Sequence, residues 1–212
     1  YAWQGGQEGG NGVADVLTGK VCACGKLTDT IAQSIEDYPS TENFGDPFKN
    51  YYKEDIYVGY RYFETFAKDK VLYPFGYGLS YTDFEISNVK LSTDVVTKEG
   101  IRVEADISNV GEYDSAQTLQ IYVSTGLKDA PKAQLKGLKK AAVKKNETKH
   151  VEITLTDKAF ALYNEDGEMV LTKGSCKIYV GSSQPDARSR KLTGNSPVEF
   201  EVKIPENRII TE

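Results

Sequence analysis

The sequence predicts a mainly β fold in which an antiparallel β-sandwich follows a small α/β segment and an aromatic-rich linker. Three observations support this prediction: apolar and polar residues alternate in the second half, a glycine-rich loop with a short helical pattern opens the chain, and tyrosines crowd between them. The predicted boundaries are 1–45 for the α/β segment, 46–84 for the linker and 85–212 for the sandwich.

Seven short segments of the second half alternate apolar and polar residues with a period of two. They span 86–91, 101–108, 118–124, 151–155, 168–171, 176–180 and 198–204. Turn signals such as Asp166-Gly167 separate them, which is typical of an immunoglobulin-like or fibronectin III-like antiparallel sandwich. The lysines of 137–149 suit a solvated strand edge, and a single helical turn is expected near 159–163.

The first segment predicts a glycine-rich loop, one short helix and a long polar excursion. Four glycines of the loop precede Asn11, which is predicted to cap a helix that ends at Gly19. Neither glycine-rich phosphate-binding pattern is present, so the sequence does not support a nucleotide site. Residues 35–54 are polar and rich in turn formers, which predicts a surface excursion.

The aromatic-rich linker ends in a dense group of tyrosines and phenylalanines between residues 55 and 84. No period of 2 or 3.6 accounts for this group. Tyrosine offers a large apolar face and a polar tip, so two interpretations stand: a strap whose rings pack a domain interface, and a platform that contacts sugars. The sequence favours the strap. Residues 74–81 contain a proline and two glycines, which predicts a loop of fixed shape.

Composition excludes several classes of function. The 212 residues are 39% hydrophobic and 27% charged with a net charge of −5, so there is no basic field for nucleic acid. No apolar run approaches the roughly 20 residues of a membrane span.

Three cysteines (Cys22, Cys24 and Cys176) and a distant His150 predict neither a disulfide nor a metal site, and no cofactor is expected. Unpaired thiols favour a cytoplasmic location.

Six phrases carry a resemblance to a known family. They are GGQEGG at 5–10, YVGYRYF at 57–63, YPFGYGLSYT at 73–82, PKAQLKGLKK at 131–140, AFALYNEDGEMVL at 159–171 and KIYVGSSQPDAR at 177–188. Together they resemble glycoside hydrolase family 3, the family of β-glucosidases and β-xylosidases. The resemblance implies the end of that family's α/β sandwich domain followed by its fibronectin type III-like domain, in a bacterial enzyme. Gly5, Cys22, Cys24 and Thr28 depart from the family pattern.

The resemblance also implies where the chemistry lies. Family 3 enzymes retain anomeric configuration, with a nucleophilic Asp and an acid/base Glu in other parts of the enzyme. Neither motif matches any position here, so no catalytic residue is assigned and the fragment alone is expected to be inactive. The chain opens at YAWQGG without an initiator Met, so it is expected to be a piece of a longer polypeptide. Its expected partners are the remainder of the parent enzyme and, for the whole enzyme, a β-glucoside.

A few residues are candidates for a substrate cleft or a domain interface. They are Gln7, Glu8, Asp55, Tyr57, Arg61 and Tyr77. Of these, Glu8 is more simply a loop or interface residue, and Arg61 is expected to pair with a carboxylate across the linker. The expected function is structural support of a β-glucosidase. A carbohydrate-binding module and a protein-interaction sandwich are the alternatives.

Overall fold

A computed structural model describes residues 2–211 of the chain. The helices are α1 (Gly9–Leu17), α2 (Tyr60–Phe66) and α3 (Ala187–Thr193). The strands are β1 (Ile31–Ala32), β2 (Val71–Tyr73), β3 (Phe84–Leu91), β4 (Ile101–Asn109), β5 (Ser115–Ser124), β6 (Gln134–Val143), β7 (Thr148–Leu155), β8 (Leu162–Tyr163), β9 (Met169–Leu171), β10 (Gly174–Gly181), β11 (Val198–Ile204) and β12 (Arg208–Ile210). In residues 2–211, no helix is long and apolar enough to cross a membrane.

The second half is an antiparallel sandwich. One sheet has the order β3-β4-β7, the facing sheet has the order β11-β10-β5-β6, and β12-β9-β8 forms a small third sheet. The alternation of β4 places Ile101, Val103 and Ile107 in the core with no exposed surface. The facing sheet contributes Ile178 and Val180 from β10. The predicted fold class is therefore confirmed.

All seven predicted strands are present, and the pattern missed three more in the sandwich. β6 has no clear alternation, because its consecutive residues 138–140 are all exposed, yet it forms one edge of the larger sheet, where the predicted lysine-rich edge lies. β8 and β12 have two and three residues, too few to show a period. The expected turn near 159–163 forms slightly earlier, as a 3₁₀ turn at Asp157–Phe160.

β5 is buried on both of its faces. Its residues 119–123 are all buried, although neighbouring side chains of a strand point to opposite sides. Leu119, Ile121 and Val123 belong to the sandwich core, whereas Gln120 and Tyr122 do not. The outer face of β5 is therefore covered by another part of the chain.

Two helices differ from the sequence expectation. α1 begins at Gly9 with Glu8 at its N-cap position, so the prediction of Asn11 as the cap is wrong; Asn11 lies inside the helix and its Nδ2 donates to Glu8 Oε2 at 2.5 Å. The predicted end is correct, because Gly19 has a positive φ of 76°. The aromatic linker contains α2, whose seven residues make only about two turns, too few for its period to be read.

The segment before the sandwich has little core of its own. Its buried apolar residues are Ala32, Phe63 and Val71, which pack with Tyr38, Tyr62 and Ala67. The predicted excursion contains two 3₁₀ turns, at Ile35–Asp37 and Pro39–Asn43, and then continues without regular structure. All three cysteines are free, and burial raises the pKa of the Cys176 thiol in the sandwich core to about 12.

Gly100 provides a test of the sandwich packing. It has a φ of +82°, and a Cβ there would lie 2.1 Å from the carbonyl oxygen of Leu155. Gly126 has a similar φ of +68° with nothing within 4 Å. We expect Gly126→Ala to lose about 1–2 kcal/mol of unfolding free energy from backbone strain alone, and Gly100→Ala to lose clearly more because backbone must move. Urea unfolding measures both, and equal losses would contradict this packing.

Candidate functional site

The covered face of β5 forms a polar junction with the segment that precedes the sandwich. Tyr122 Oη donates to Gln120 Oε1 at 2.7 Å. Gln120 Nε2 donates to the carbonyl oxygens of Gly76, at 3.1 Å, and Ser182, at 2.9 Å. One amide side chain therefore fixes the loop at 74–81, the strand β5 and the turn after β10 to one another. A buried amide needs such partners, because an unpaired one loses hydrogen bonds to water without replacement.

Aromatic rings complete the junction around α2. The Tyr60 ring stacks on Phe75, with centroids 4.6 Å apart, and meets the Tyr122 ring edge-on at 6.2 Å. Its hydroxyl accepts a hydrogen bond from the backbone N–H of Leu135, at 2.9 Å. Thr65 Oγ1 accepts from the N–H of Lys132, at 3.2 Å. Helix α2 is thus bound by hydrogen bonds to β6 and to the residues that lead into it.

A buried acidic cluster lies at the same junction. Asp186 caps α3 and accepts hydrogen bonds from Ser189 N at 2.8 Å, from Ser189 Oγ, and from Gln184 Nε2 at 3.2 Å. Glu64 of α2 is also buried. Burial first, and the negative charge of Asp186 second, raise the pKa of the Glu64 carboxyl to about 7. The adjacent Arg188 Nε donates to the carbonyl oxygen of Leu72 at 3.0 Å, which adds a contact between α3 and β2.

The loop at 74–81 also contacts the start of the chain. Backbone hydrogen bonds of 2.8 Å join Leu27 N to Tyr77 O and Gly76 N to Leu27 O. Tyr81 Oη donates to the carbonyl oxygen of Val16 in α1, at 3.0 Å. Cys22 Sγ contacts Ser80 Oγ at 3.3 Å. The fixed loop predicted from its proline and glycines is present, and it connects α1, residues 22–27 and the sandwich.

Two adjoining cavities lie beside this loop, with volumes of about 240 and 270 Å³. Both are lined by Phe84, Ser182, Ser183 and Asn195. The first contains one carboxylate, Asp83, and the second contains one, Glu85. Retaining glycoside hydrolysis needs two carboxyl groups roughly 5–5.5 Å apart. Neither cavity therefore provides the pair.

Glu64 and Asp186 are the two buried carboxylates of residues 2–211, and neither lines either of these two cavities. Asp186 caps α3, and Glu64 lies on the buried side of α2. In the same described range, no three His, Cys, Asp or Glu side chains gather in a group that could hold a metal ion.

The sequence-predicted site residues occupy separate places. Gln7 and Glu8 are exposed at the start of α1, and Asp55 is exposed with a φ of +51°. The Tyr57 ring meets Phe66 edge-on, with centroids 4.8 Å apart, and the Tyr77 ring stacks on Tyr73 at 5.8 Å. No hydrogen bond, ion pair or ring contact found in residues 2–211 joins these candidates to one another. Tyr77 is the one candidate that lines a cavity.

The expected partner of Arg61 is not found. Its guanidinium makes no ion pair with a carboxylate in the described part of the chain. It lies near Lys136 instead, whose pKa is lowered by burial and then by the positive charge of Arg61. His150 lies on the exposed surface of β7, with Nδ1 2.8 Å from Asp106 Oδ1.

Sequence reasoning missed the residues that build the junction. Two signals could have found some of them. Gln120 interrupts the otherwise apolar stretch LQIYV, and Asp186 followed three residues later by Ser189 is an N-cap pattern for a short helix. Glu64 gives no signal, because a glutamate on a seven-residue helix does not show which face is buried.

Comparisons with known proteins agree with this arrangement. Residues 1–81 match the glycosyl hydrolase family 3 C-terminal domain, and residues 117–184 match the fibronectin type III-like domain. The chain belongs to glycoside hydrolase family 3. The family and fold predicted from the sequence are confirmed.

The family relatives are longer enzymes. A β-glucosidase of Ruminococcus albus is 44% identical over 200 residues, covering 90% of this chain and 20% of that protein. An exo-α-(1→6)-L-arabinopyranosidase of Bifidobacterium longum is 41% identical over 192 residues, covering 87% and 25%. The structure of β-glucosidase 3B from Thermotoga neapolitana with α-D-glucose matches with a TM-score of 0.84 and 35% identity, covering 99% and 28%. This family 3 chain thus spans between a fifth and three tenths of these relatives.

Gly78 tests the contact between the loop and the start of the chain. A Cβ at Gly78 would lie 2.1 Å from the carbonyl oxygen of Gly25, whereas a Cβ at Gly25 has nothing within 4 Å. We expect Gly78→Ala to lower the melting temperature and to speed proteolysis within 20–30 and 74–81. Gly25→Ala should stay within about 0.5 kcal/mol of wild type. If both variants behave alike, the loop does not pack in this way.

Proposed function

We propose that this chain is the support region of a retaining family 3 β-glucosidase, an enzyme that removes terminal β-linked glucose. The fibronectin type III-like sandwich holds the aromatic linker and the α/β remnant in place, and the catalytic carboxylates come from the remaining domains. The distribution of apolar surface is the observation that carries this proposal.

The segment at residues 2–84 exposes far more apolar surface than the sandwich does. Of the 23 large hydrophobic residues exposed in the described chain, 16 lie in this segment and 7 in the sandwich. Of the 26 buried hydrophobic residues, three lie in the segment and 23 in the sandwich. Phe44, Phe48 and Tyr52 are each at least 87% exposed, and no residue of α1 is buried. Soluble monomers rarely leave such a surface uncovered.

We infer that the remaining domains of the parent enzyme cover this surface. The sandwich has its own hydrophobic core, so it provides the stable domain against which the segment at residues 2–84 packs. Retaining hydrolysis proceeds through a covalent glycosyl-enzyme and requires two carboxyl groups at the scissile bond. Neither of the two cavities contains a pair of carboxyl groups, which favours a structural role for this region. Sugar preference is then set by the other domains, consistent with relatives named for glucose and for arabinopyranose.

The aromatic linker suits packing better than sugar binding. The rings of residues 57–77 contact one another, as in the stacked pairs Tyr60–Phe75 and Tyr73–Tyr77, and Tyr60 also reaches the sandwich. Phe48 and Tyr52, which precede them in the linker, are exposed. A carbohydrate platform needs ring faces that are free to meet a pyranose. These contacts support the strap interpretation over a carbohydrate-binding module.

Enzyme assay of the purified 212-residue chain tests the proposal. We expect no turnover of a chromogenic β-glucoside, because no carboxylate pair faces a cavity, and no saturable change of Trp3 and tyrosine fluorescence with gluco-oligosaccharides. Light scattering should show self-association through the exposed apolar surface, which Phe44→Ser with Phe48→Ser reduces. Turnover that Glu8→Gln abolishes would overturn the supporting role, and millimolar or tighter oligosaccharide binding would favour the binding module.

A further inference from the structure

Two buried carboxyl groups lie at the junction between α2 and the sandwich and interact electrostatically. Glu64 lies on α2 and is 8% exposed, and Asp186 follows β10 and is 7% exposed. The side chain of Gln184, 2% exposed, lies between them: its Nε2 donates to Asp186 Oδ2 at 3.2 Å, and its amide is also the hydrogen-bonding neighbour of the Glu64 carboxyl. This cluster therefore links two parts of the chain that are far apart in sequence.

The two carboxyls have unequal surroundings. Asp186 accepts from Ser189 N, Ser189 Oγ and Gln184 Nε2, and three donors stabilise a negative charge. Within residues 2–211, the side-chain hydrogen-bonding partner of Glu64 is the Gln184 amide. Two negative charges this close in a buried site repel each other, so the less supported group takes up a proton.

The other groups that face Glu64 do not cancel this repulsion. The Gln184 amide, Lys132 before β6 and Lys68 after α2 act in the opposite direction, but burial and Asp186 outweigh them and raise the pKa of Glu64 to about 7. Tyr122 faces the same cluster from β5, and burial followed by the charges of Tyr60, Asp186 and Glu64 raises the pKa of its hydroxyl. Burial is thus the largest influence on both Glu64 and Tyr122.

In the described chain, the buried amide oxygen of Gln184 lacks a hydrogen-bond donor. Gln184 Oε1 is buried and has no hydrogen-bond partner among residues 2–211. A buried amide oxygen without a donor is costly. A proton on the Glu64 carboxyl provides a donor within this cluster, and an ionised Glu64 cannot.

We propose that Glu64, Gln184 and Asp186 form a proton-operated clasp, which holds α2 against the sandwich while Glu64 carries a proton and loosens when Glu64 ionises. Ionisation removes the donor and places a second negative charge beside Asp186. Because α2 carries Tyr60 and Thr65, loosening the clasp also frees the aromatic linker from β6. The clasp makes the attachment of the support region sensitive to pH close to neutrality.

The sign of the pH effect follows from linkage. The carboxyl titrates at about 7 in the folded chain against an ordinary value of 4.5. Its contribution to stability is therefore fully present below about pH 4.5 and is lost as the pH rises through about 7. Each unit of difference between the folded and unfolded pKa values changes the folding equilibrium constant tenfold. Ionisation of Glu64 therefore lowers this constant by about two orders of magnitude.

Comparison of wild type with Glu64→Gln over pH 5–8.5 tests the clasp. The glutamine is permanently neutral and has nearly the same shape. We expect the folding equilibrium constant of wild type to fall roughly a hundredfold more than that of Glu64→Gln across this range. Amide exchange in α2 of wild type should be faster at pH 8.5 than at pH 5. Exposed Glu42→Gln is the matched control and should follow wild type. His150 also titrates but is present in all three proteins, so its effect cancels in the comparison.

Two outcomes overturn the clasp: parallel pH curves for wild type and Glu64→Gln, or α2 exchange that does not change with pH. If Glu64→Gln does not fold, carbon NMR titration of the glutamate carboxyls in wild type decides the matter. A Glu64 midpoint near 7 supports the clasp, and a midpoint near 4.5 rules it out.

Discussion

The structure depends on a single strand that is buried on both faces. On one side of β5, Leu119, Ile121 and Val123 fill the sandwich core. On the other side, Gln120 and Tyr122 are buried against the linker. Burying a polar side chain costs free energy unless its hydrogen bonds are satisfied. The Gln120 amide therefore constrains where Gly76 and Ser182 lie, and through them the whole loop at 74–81.

This constraint explains how a segment with little core of its own keeps a defined position. Residues 2–84 bury three apolar side chains, far fewer than an independent domain needs. Their order comes from contacts to the sandwich: the hydrogen bonds between Tyr60 and Leu135 and between Arg188 and Leu72, and the edge-on contact of the Tyr60 ring with Tyr122. The apolar surface that stays exposed therefore has a fixed shape. Under the proposed function, this surface would help to position catalytic groups that the remaining domains carry.

Much of the fold could be predicted from the sequence because its signals are local. Period-two alternation gave the strand at 101–108, and the proline and glycines of 74–81 gave the fixed loop. The helices α2 and α3 were missed because each has seven residues, and tertiary contacts rather than periodicity decide such short elements. β6 was missed because an exposed edge strand does not need to alternate apolar and polar residues.

The candidate site could be predicted only in part, because burial of a polar group is not a local property. Arg61 was expected to pair with a carboxylate, yet the buried carboxylate of the same helix is Glu64, three residues further on and held by Gln184 instead. Gln7 and Glu8 were candidates from the sequence, but both are exposed, and the hydrogen bond from Asn11 to Glu8 stays within the start of α1. Under the proposed function, both lie on surface that the remaining domains meet.

Amide hydrogen exchange of Gln120→Leu tests most directly whether the outer face of β5 holds the two parts together. Leucine keeps the volume of the side chain but removes the bonds to Gly76, Ser182 and Tyr122. We expect amide exchange in 60–66 and 74–81 to become at least tenfold faster, on the order of magnitude of a local opening. The amides of β4 should change much less, because stability is lost locally before it is lost globally. Unchanged exchange in both stretches, or an equal change in β4, would contradict it.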